Sequence, residues 1–544
     1  MSVDHSHSDN KNKIIRSIDI HNIEYNDKGV IDFYWPLDNK SASKVMESVT
    51  RDLIPFITEY KKQNSELLAI SLLFKWFLCE VLRIFESALL ASQFKKNNII
   101  PVVPKNYKKF SAFYCTKHLE CDFFLNKANG PAGRRMIPLA VKRIAKEFLW
   151  NGLNIKLLLK YKGKKSEILC IAPSQLTIKH ANKTQKLLRY SSFEEWFGSI
   201  PKEIITEKKP DQVLIQKIFN SIEKSFNENG CQLPKTGKDF LITWIKHADN
   251  FVNYYLNQEN FKYENITNEL WFGSGGNTIW HVILIERLRR KGIKIVTHDH
   301  GSGNSHHDQV PVHWVEFMHT DQFITFNKIN EINRNNQFNK KLIFGQNIPK
   351  IQSLDSLLEI EVKKIKKRVI KKSYRIKKIM YVGTAFHGET TRLRPIFHDI
   401  TYFDWQIKLL SYLKNHGIKG FYKPHPEGAT RARSDFAELF GFKALNKRLE
   451  AISENFDAYI IDFIFSSTTP LILKSDKPVF FINLGFPELL VKPRDLIKER
   501  CYYFEATYSK DSRLNIDWER FSKFLNIEDH KFTMDFPDIY FQNQ

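Results

Sequence analysis

The chain has 544 residues, 42% hydrophobic and 26% charged, with no Gly-X-Y period. That length exceeds what one hydrophobic core usually supports, so two domains are expected, and a wholly disordered or collagen-like chain is excluded. The 83 Lys and Arg against 60 Asp and Glu leave a formal charge of +23, which suits either an anionic partner or a solvated basic surface. Six cysteines, at 79, 115, 121, 170, 231 and 501, form no Cys-x-x-Cys pair. This argues against a disulfide scaffold or structural zinc and fits a reducing compartment.

Residues 1–13 are polar, lack the apolar core of a signal peptide and read as a disordered tail, in which His5 and His7 are too isolated to imply a metal. The apolar stretch Leu67–Ser92 is interrupted by Lys75, Glu80, Arg83 and Glu86, so it predicts a buried helix rather than a membrane span. A strand is expected over 97–103. Ala132–Ala145 and Ser192–Phe219 read as helical, with a short strand over Ser166–Ala172 between them.

After residue 260 the pattern sharpens. Strand Glu269–Phe272 runs into the turn Gly273-Ser274-Gly275-Gly276. Helix Thr278–Arg290 and strand Lys294–Thr297 follow, the latter ending in His298-Asp299-His300-Gly301, and a further strand spans Asp321–Phe326. This alternation predicts a doubly wound parallel sheet. Between Ile351 and Lys378 a helix-like connector turns strongly basic, with 10 of the 16 residues from Lys363 being Lys or Arg. A second alternating block follows: strand 378–382, helix 403–415, strand 420–423, helix 430–440, strand 458–461, helix 470–474 and strand 478–482. The expected fold is α/β, with two Rossmann-like domains facing a cleft and extra N-terminal helices. The domain bounds are 14–350 and 379–544, joined by the connector 351–378.

Ligands in open α/β sheets bind beyond the carboxyl ends of the strands, and polar clusters stand at four such ends. Lys423-Pro424-His425-Pro426 pins a histidine between two prolines beside a cation, which suits a phosphate ligand; a rigid turn is the plain alternative. Ser466, Ser467, Thr468 and Thr469 gather hydroxyls at a helix start, either as an anion cradle or as ordinary capping. Asp299, between His298 and His300 and ahead of Gly301, suits a general base or a structural turn. His306 and His307 raise a metal reading, but no His-Glu-x-x-His spacing supports it. Gly273-x-Gly275-x-x-Thr278 imitates a dinucleotide fingerprint with its third glycine replaced.

Lys423-Pro424-His425-Pro426 followed by Ser466-Ser467 resembles the HP and S motifs of bacterial sialyl-, polysialyl- and Kdo-transferases of the GT-B fold. Asp299-His300-Gly301 resembles the acidic-acidic-Gly motif carrying their base, with His300 departing from the second acidic position. Trp271–Gly301 is also similar to capsule and lipopolysaccharide biosynthesis proteins. The resemblance spans residues 265–485. It implies an inverting, metal-independent glycosyltransferase without cofactor. Asp299 would be the base, and His425, Ser466 and Ser467 would hold the phosphate of a CMP-linked acidic sugar. Glu450 or Glu454 would hold the ribose. The implied partners are a nucleotide-sugar donor and a glycan or glycolipid acceptor, in the cytoplasm or at the anionic face of the inner membrane. CDP-glycerol-type glycerophosphotransferases and NAD(P)-dependent oxidoreductases are the competing classes. A nucleic-acid binder is disfavoured, because the basic connector offers only Tyr374 for stacking.

Overall fold

The computed structural model describes residues 14–36, 48, 68–105, 167–190, 212–257, 268–273, 279–289, 291–299, 301, 305–307, 316–317, 320–339, 349–357, 368–386, 398–425, 436–466, 468–485 and 488–541. Three short strands come first, β1 (Ile14–Ser17), β2 (Tyr25–Asn26) and β3 (Gly29–Val30). A 29-residue helix, Leu68–Lys96, then leads into β4 (Ile99–Val102), which pairs in parallel with β1. This is the helix–strand order expected over 67–103. No described helix is long and apolar enough to cross a membrane. Helices Gln212–Glu228 and Lys235–Asn257 add to this helical layer.

The first sheet is built from β5 (Glu167–Ile171), β6 (Leu187–Tyr190), β7 (Glu269–Phe272), β8 (Lys294–His298), β9 (Gln322–Thr325) and β10 (Lys350–Ser353). All six strands are parallel, in the order β10-β9-β8-β7-β5-β6. β9 is buried along its whole length, and β7 and β8 bury everything after their first residue. Such continuous burial marks a sheet covered on both faces. The strands expected over 166–172, 269–272, 294–297 and 321–326 are all present, as is the intervening helix, at Ile279–Arg289.

In the second half, β11 (Val369–Ser373) precedes β12 (Lys378–Val382), β13 (Lys419–Lys423), β14 (Phe442–Ala444), β15 (Ala458–Ile461), β16 (Val479–Asn483) and β17 (Tyr502–Glu505). Strands β12 to β17 form a second six-stranded parallel sheet in the order β14-β13-β12-β15-β16-β17. The chain therefore reverses its direction of travel across the sheet between β12 and β15. A hairpin, β18 (Thr507–Tyr508) with β19 (Leu514–Asn515), and the strand β20 (Asp529–Thr533) complete the chain, followed by the helix Asp535–Tyr540.

The connector departs in part from the helix-like expectation: Leu354–Leu357 is helical, residues 358–367 lie outside the described residues, and strands stand at its two ends. Its first residues are β10, the edge strand of the first sheet, and its basic part contains β11, paired antiparallel with β20. Lysine-rich sequence has good helix propensity, but Val369 and Ile370 favour a strand. Pairing with the distant β20 decides the outcome, as tertiary context often does. Ion pairs Lys372–Asp476 and Arg368–Asp538 tie the ribbon down. The helices expected over 132–145, the first part of 192–219 and the first part of 430–440 lie outside the described residues, as do His5 and His7.

The expected boundary at 350 is crossed in both directions. Val30 donates its backbone N–H to Asp404 on the helix Asp399–Asn415, and Arg513 binds both Asp404 and the Val30 carbonyl. The final helix reaches back, with the Ile539 carbonyl accepting from Asn327 at 3.0 Å. One continuous apolar cluster runs from Trp35 and Phe85 through Leu270 to Trp405 and Phe480.

Candidate functional site at the carboxyl ends of the two sheets

In the second sheet the order β13-β12-β15 sets the geometry. The end of β13 and the residues after it (Lys423, Pro424, His425) and those after β15 (Asp462 to Thr468) flank the end of β12 on either side. Two strand spacings separate them, roughly 10 Å. The sheet thus brings together two motifs about forty residues apart in sequence. His425 is half-buried at this edge. Lys423 is buried and donates to the Pro424 carbonyl at 2.9 Å. Burial draws its pKa below the ordinary lysine value, against the pull of the exposed Glu450 carboxylate. Glu450 therefore stands within electrostatic reach of Lys423, as a residue near the same ligand would. Glu454 is half-buried, and its Oε2 atom is buried without a hydrogen-bond partner.

The Ser466 segment forms a tight turn. The Ser466 and Thr468 hydroxyls lie 2.8 Å apart, and the Thr468 N–H donates to Ser466 Oγ at 3.3 Å. The helix that follows, Thr469–Lys474, has six residues and no side-chain cap. Ser467 lies outside the described residues, as do Ser274, Gly275, His300 and Pro426.

Asp299 has a different surrounding from the one expected of a base. It is fully buried, with one carboxylate oxygen accepting from Arg334 Nη2 at 3.0 Å and from the Gly301 N–H at 3.2 Å. The other oxygen accepts from the Thr325 hydroxyl at 3.0 Å. Arg334 also pairs with buried Glu316 at 2.7 Å and lies over the rings of Phe317 and Phe323. Burial opposes the guanidinium charge, but Asp299 and Glu316 outweigh it and raise the Arg334 pKa. A carboxylate held by three donors is arranged to fix a loop. Half-buried Gly301 supplies one of those donors.

His298 is equally committed. One ring nitrogen lies 2.8 Å from the Phe272 carbonyl and the other 3.0 Å from His180 Nδ1. His180 in turn stacks on Trp271 with ring centroids 4.2 Å apart. Burial pushes His298 down to about 4, despite the Phe272 carbonyl. Burial, aided by His298, Lys186 and Lys294, pushes His180 down to about 2. These imidazoles are neutral packing groups at neutral pH. Gly273 is explained by packing as well, because a Cβ there would lie 2.1 Å from the Ala172 carbonyl oxygen and 2.5 Å from the Ser174 nitrogen. The glycine lets two neighbouring strand ends approach, and it needs no dinucleotide to account for it.

The loops from the two sheets meet. His307, downstream of Asp299, packs edge-on against Phe465, beside Ser466, with centroids 4.4 Å apart. His307 also bridges to Leu489, and the Leu490 N–H donates to the His306 carbonyl at 2.8 Å. His306 itself is buried against Phe536 and Tyr540, and burial with Arg334 nearby pushes it down to about 3. Among the described residues no group of three His, Cys, Asp or Glu could hold a metal ion. Lys474, the last residue of the helix Thr469–Lys474, is pushed below the ordinary lysine range by burial first and by Lys179 of the first half, with Asp538 opposing.

Several residues of this region escaped the sequence reading. Gly383 follows β12, and a Cβ there would meet Gln406 Nε2 at 2.9 Å and the Tyr402 hydroxyl at 3.0 Å. The Thr384 N–H donates to that same hydroxyl at 2.7 Å. Asp462, at the end of β15, accepts from Tyr381, Tyr402 and Trp405 Nε1. The signal for Asp462 was present: an aspartate closing the apolar run Ala458–Ile461 is a polar group at a strand end. Nothing in the Asn-rich helix Lys328–Asn339 marks Arg334. Comparison with protein-family models, with curated proteins and with solved structures finds no match to the chain.

Proposed function

We propose that this chain is a glycosyltransferase with two Rossmann-like domains facing a cleft, of the GT-B kind. In this reading it takes an acidic sugar from a CMP-linked donor and transfers it to a surface glycan or glycolipid. The reading rests above all on the order β13-β12-β15, which sets His425 and the Ser466–Thr468 turn on either side of one strand end. The carboxyl end of a strand at a reversal of strand order is where open α/β sheets bind nucleotides. Support also comes from the contact of His307 with Phe465, which joins the loop after Asp299 to the donor side.

The reaction is a single displacement. The acceptor oxygen bonds to the anomeric carbon as the bond from that carbon to the donor phosphate breaks, and CMP leaves with the electron pair. His425 and the hydroxyls at Ser466 and Thr468 face the charge growing on the phosphate, with Lys423 beneath them, which is stabilisation by preorganised groups. Glu450 or Glu454 takes the ribose. Because Asp299 is held by Arg334, Thr325 and Gly301, it positions the loop. The adjacent His300 is then the residue of the His298–Gly301 segment left to take the acceptor's proton.

The test is nucleotide release by the full chain, supplied in turn with CMP-linked acidic sugars, CDP-glycerol and NAD(P), with and without an oligosaccharide acceptor. CMP should be released from the acidic-sugar donors. His425→Ala should lose about 1.5–3 kcal/mol of donor or transition-state binding, one charge-assisted phosphate contact. Consumption of CDP-glycerol alone would assign glycerophosphate transfer instead, and reduction of NAD(P) an oxidoreductase. Full turnover in His425→Ala would return the Lys423–Pro426 segment to a structural turn.

A further inference from the structure

We infer that a second anion site, for a small phosphate-bearing molecule, lies at the outer edge of the second sheet. This inference does not depend on the transferase reading. A cavity of about 490 Å³ opens beside β17, lined from the start of β16, the helix Trp518–Leu525 and β20. It sits mainly at the amino ends of β16 and β17, the opposite end of the sheet from His425 and Ser466. Its volume falls within the range of small-molecule sites.

The charges around it do not balance. Lys498, Arg500, Arg520 and Lys531 line the cavity against two carboxylates, Glu499 and Glu505. None of the four cations forms an ion pair among the described residues. Lys498 and Arg520 instead lie over aromatic rings, Lys498 5.3 Å from the Tyr503 centroid and Arg520 5.3 Å from that of Phe504. Both carboxylates have other partners: Glu505 accepts from Asn483 and Glu499 from Thr533.

Arg500 is the most telling of the four. It is fully buried over the Phe532 ring at 4.4 Å, donates to the carbonyls of Leu473, Ser475 and Lys477, and leaves Nη1 buried without a hydrogen-bond partner. Asp476, which acts on it through space, is itself ion-paired with Lys372. A buried guanidinium without a carboxylate is costly by itself, and an anion in the cavity would compensate it. Guanidinium and ammonium groups match phosphate oxygens. Tyr502, stacked on Phe524 at 4.6 Å, gives the rest of the ligand an aromatic wall.

The experiment is equilibrium binding of inorganic pyrophosphate, CMP and glucose 6-phosphate to three full-length proteins: wild type, His425→Ala and the double variant Arg520→Glu/Lys531→Glu. Arg520 and Lys531 are exposed, so the double variant should unfold at the wild-type temperature. Binding of at least one probe should survive His425→Ala and weaken at least about tenfold in the double variant, the scale of a lost charge-assisted contact. Whichever probe binds most tightly identifies the source of the phosphate. No binding by any probe, binding unaffected by the double variant, or binding abolished by His425→Ala would each overturn the site.

Discussion

Arg334 and Asp299 form an ion pair at 3.0 Å with neither side chain exposed to solvent. The pair joins the helix Lys328–Asn339 to the end of β8, and Glu316 shares the same guanidinium nitrogen, Nη2, at 2.7 Å. A buried pair of this kind adds little net stability when complete, but removing one partner strands the other charge in a low-dielectric interior. Its work is to define where the loop after β8 goes.

Asp299→Ala should therefore destabilise the chain by about 3–5 kcal/mol, the scale for breaking a buried ion pair. Asp299→Asn, whose amide oxygen can still accept from Arg334 and Gly301 while its amide NH2 donates to the Thr325 hydroxyl oxygen, should lose less. Urea unfolding of both variants measures this. If Asp299→Asn keeps wild-type stability and donor affinity yet loses turnover by about 10²–10⁴, Asp299 is the general base after all and the positioning role fails. His300→Ala should show the opposite pattern, with normal stability and lost turnover.

The buried imidazoles make the first sheet sensitive to acid. His298 and His180 titrate in the folded chain at about 4 and about 2, below the ordinary 6.5. Their depressed values mean that the unfolded chain binds protons the folded one does not. The stability they contribute is present above pH 6.5 and falls as the pH drops toward 4. Each imidazole should contribute a slope of about 1.4 kcal/mol per pH unit across that window. Replacing His180 by Phe keeps a ring against Trp271 and removes one titrating group, so the acid limb should flatten by about one proton. Equal acid slopes for wild type and His180→Phe would show that this histidine is not buried neutral.

Much of the architecture was legible because strands such as Lys294–His298 and Val479–Asn483 are short apolar runs closed by polar residues. Burial on both faces of a parallel sheet demands such a pattern. The motifs His425 and Ser466 were legible because they stand at strand ends, and the strand order then brought them together. What stayed hidden depends on distant partners. β11 reads as a basic helix until β20, some 160 residues later, pairs with it. Asp299 reads as a base until Arg334 occupies it, and no local pattern announces a guanidinium 35 residues downstream. Gly273 imitates a nucleotide fingerprint because close backbone approach and phosphate binding both ask for glycine.

Asp462 offers a test of the second sheet with the opposite sign. Burial raises its carboxyl to about 6, even though Tyr381, Tyr402 and Trp405 donate to it and pull it down. Tyr381 and Tyr402 are raised well above the ordinary tyrosine value, by burial first and by Asp462 next, so both keep their protons as donors. A carboxyl whose folded value lies above its unfolded one, near 3.8, is stabilising when protonated. That stability is fully present below pH 3.8 and is lost as the pH rises through 6. Asp462→Asn cannot ionise, and its amide oxygen can still accept from the tyrosines. Relative to wild type, the variant should therefore gain stability between pH 4 and pH 7, by an amount on the order of 3 kcal/mol. Denaturant unfolding of both proteins at several pH values gives the difference directly, with other titrating groups cancelling. A constant difference across the range would mean that Asp462 ionises as readily in the folded chain as in the unfolded one. The platform of Tyr402 and Gln406 under Gly383 would then be wetter than its buried geometry implies.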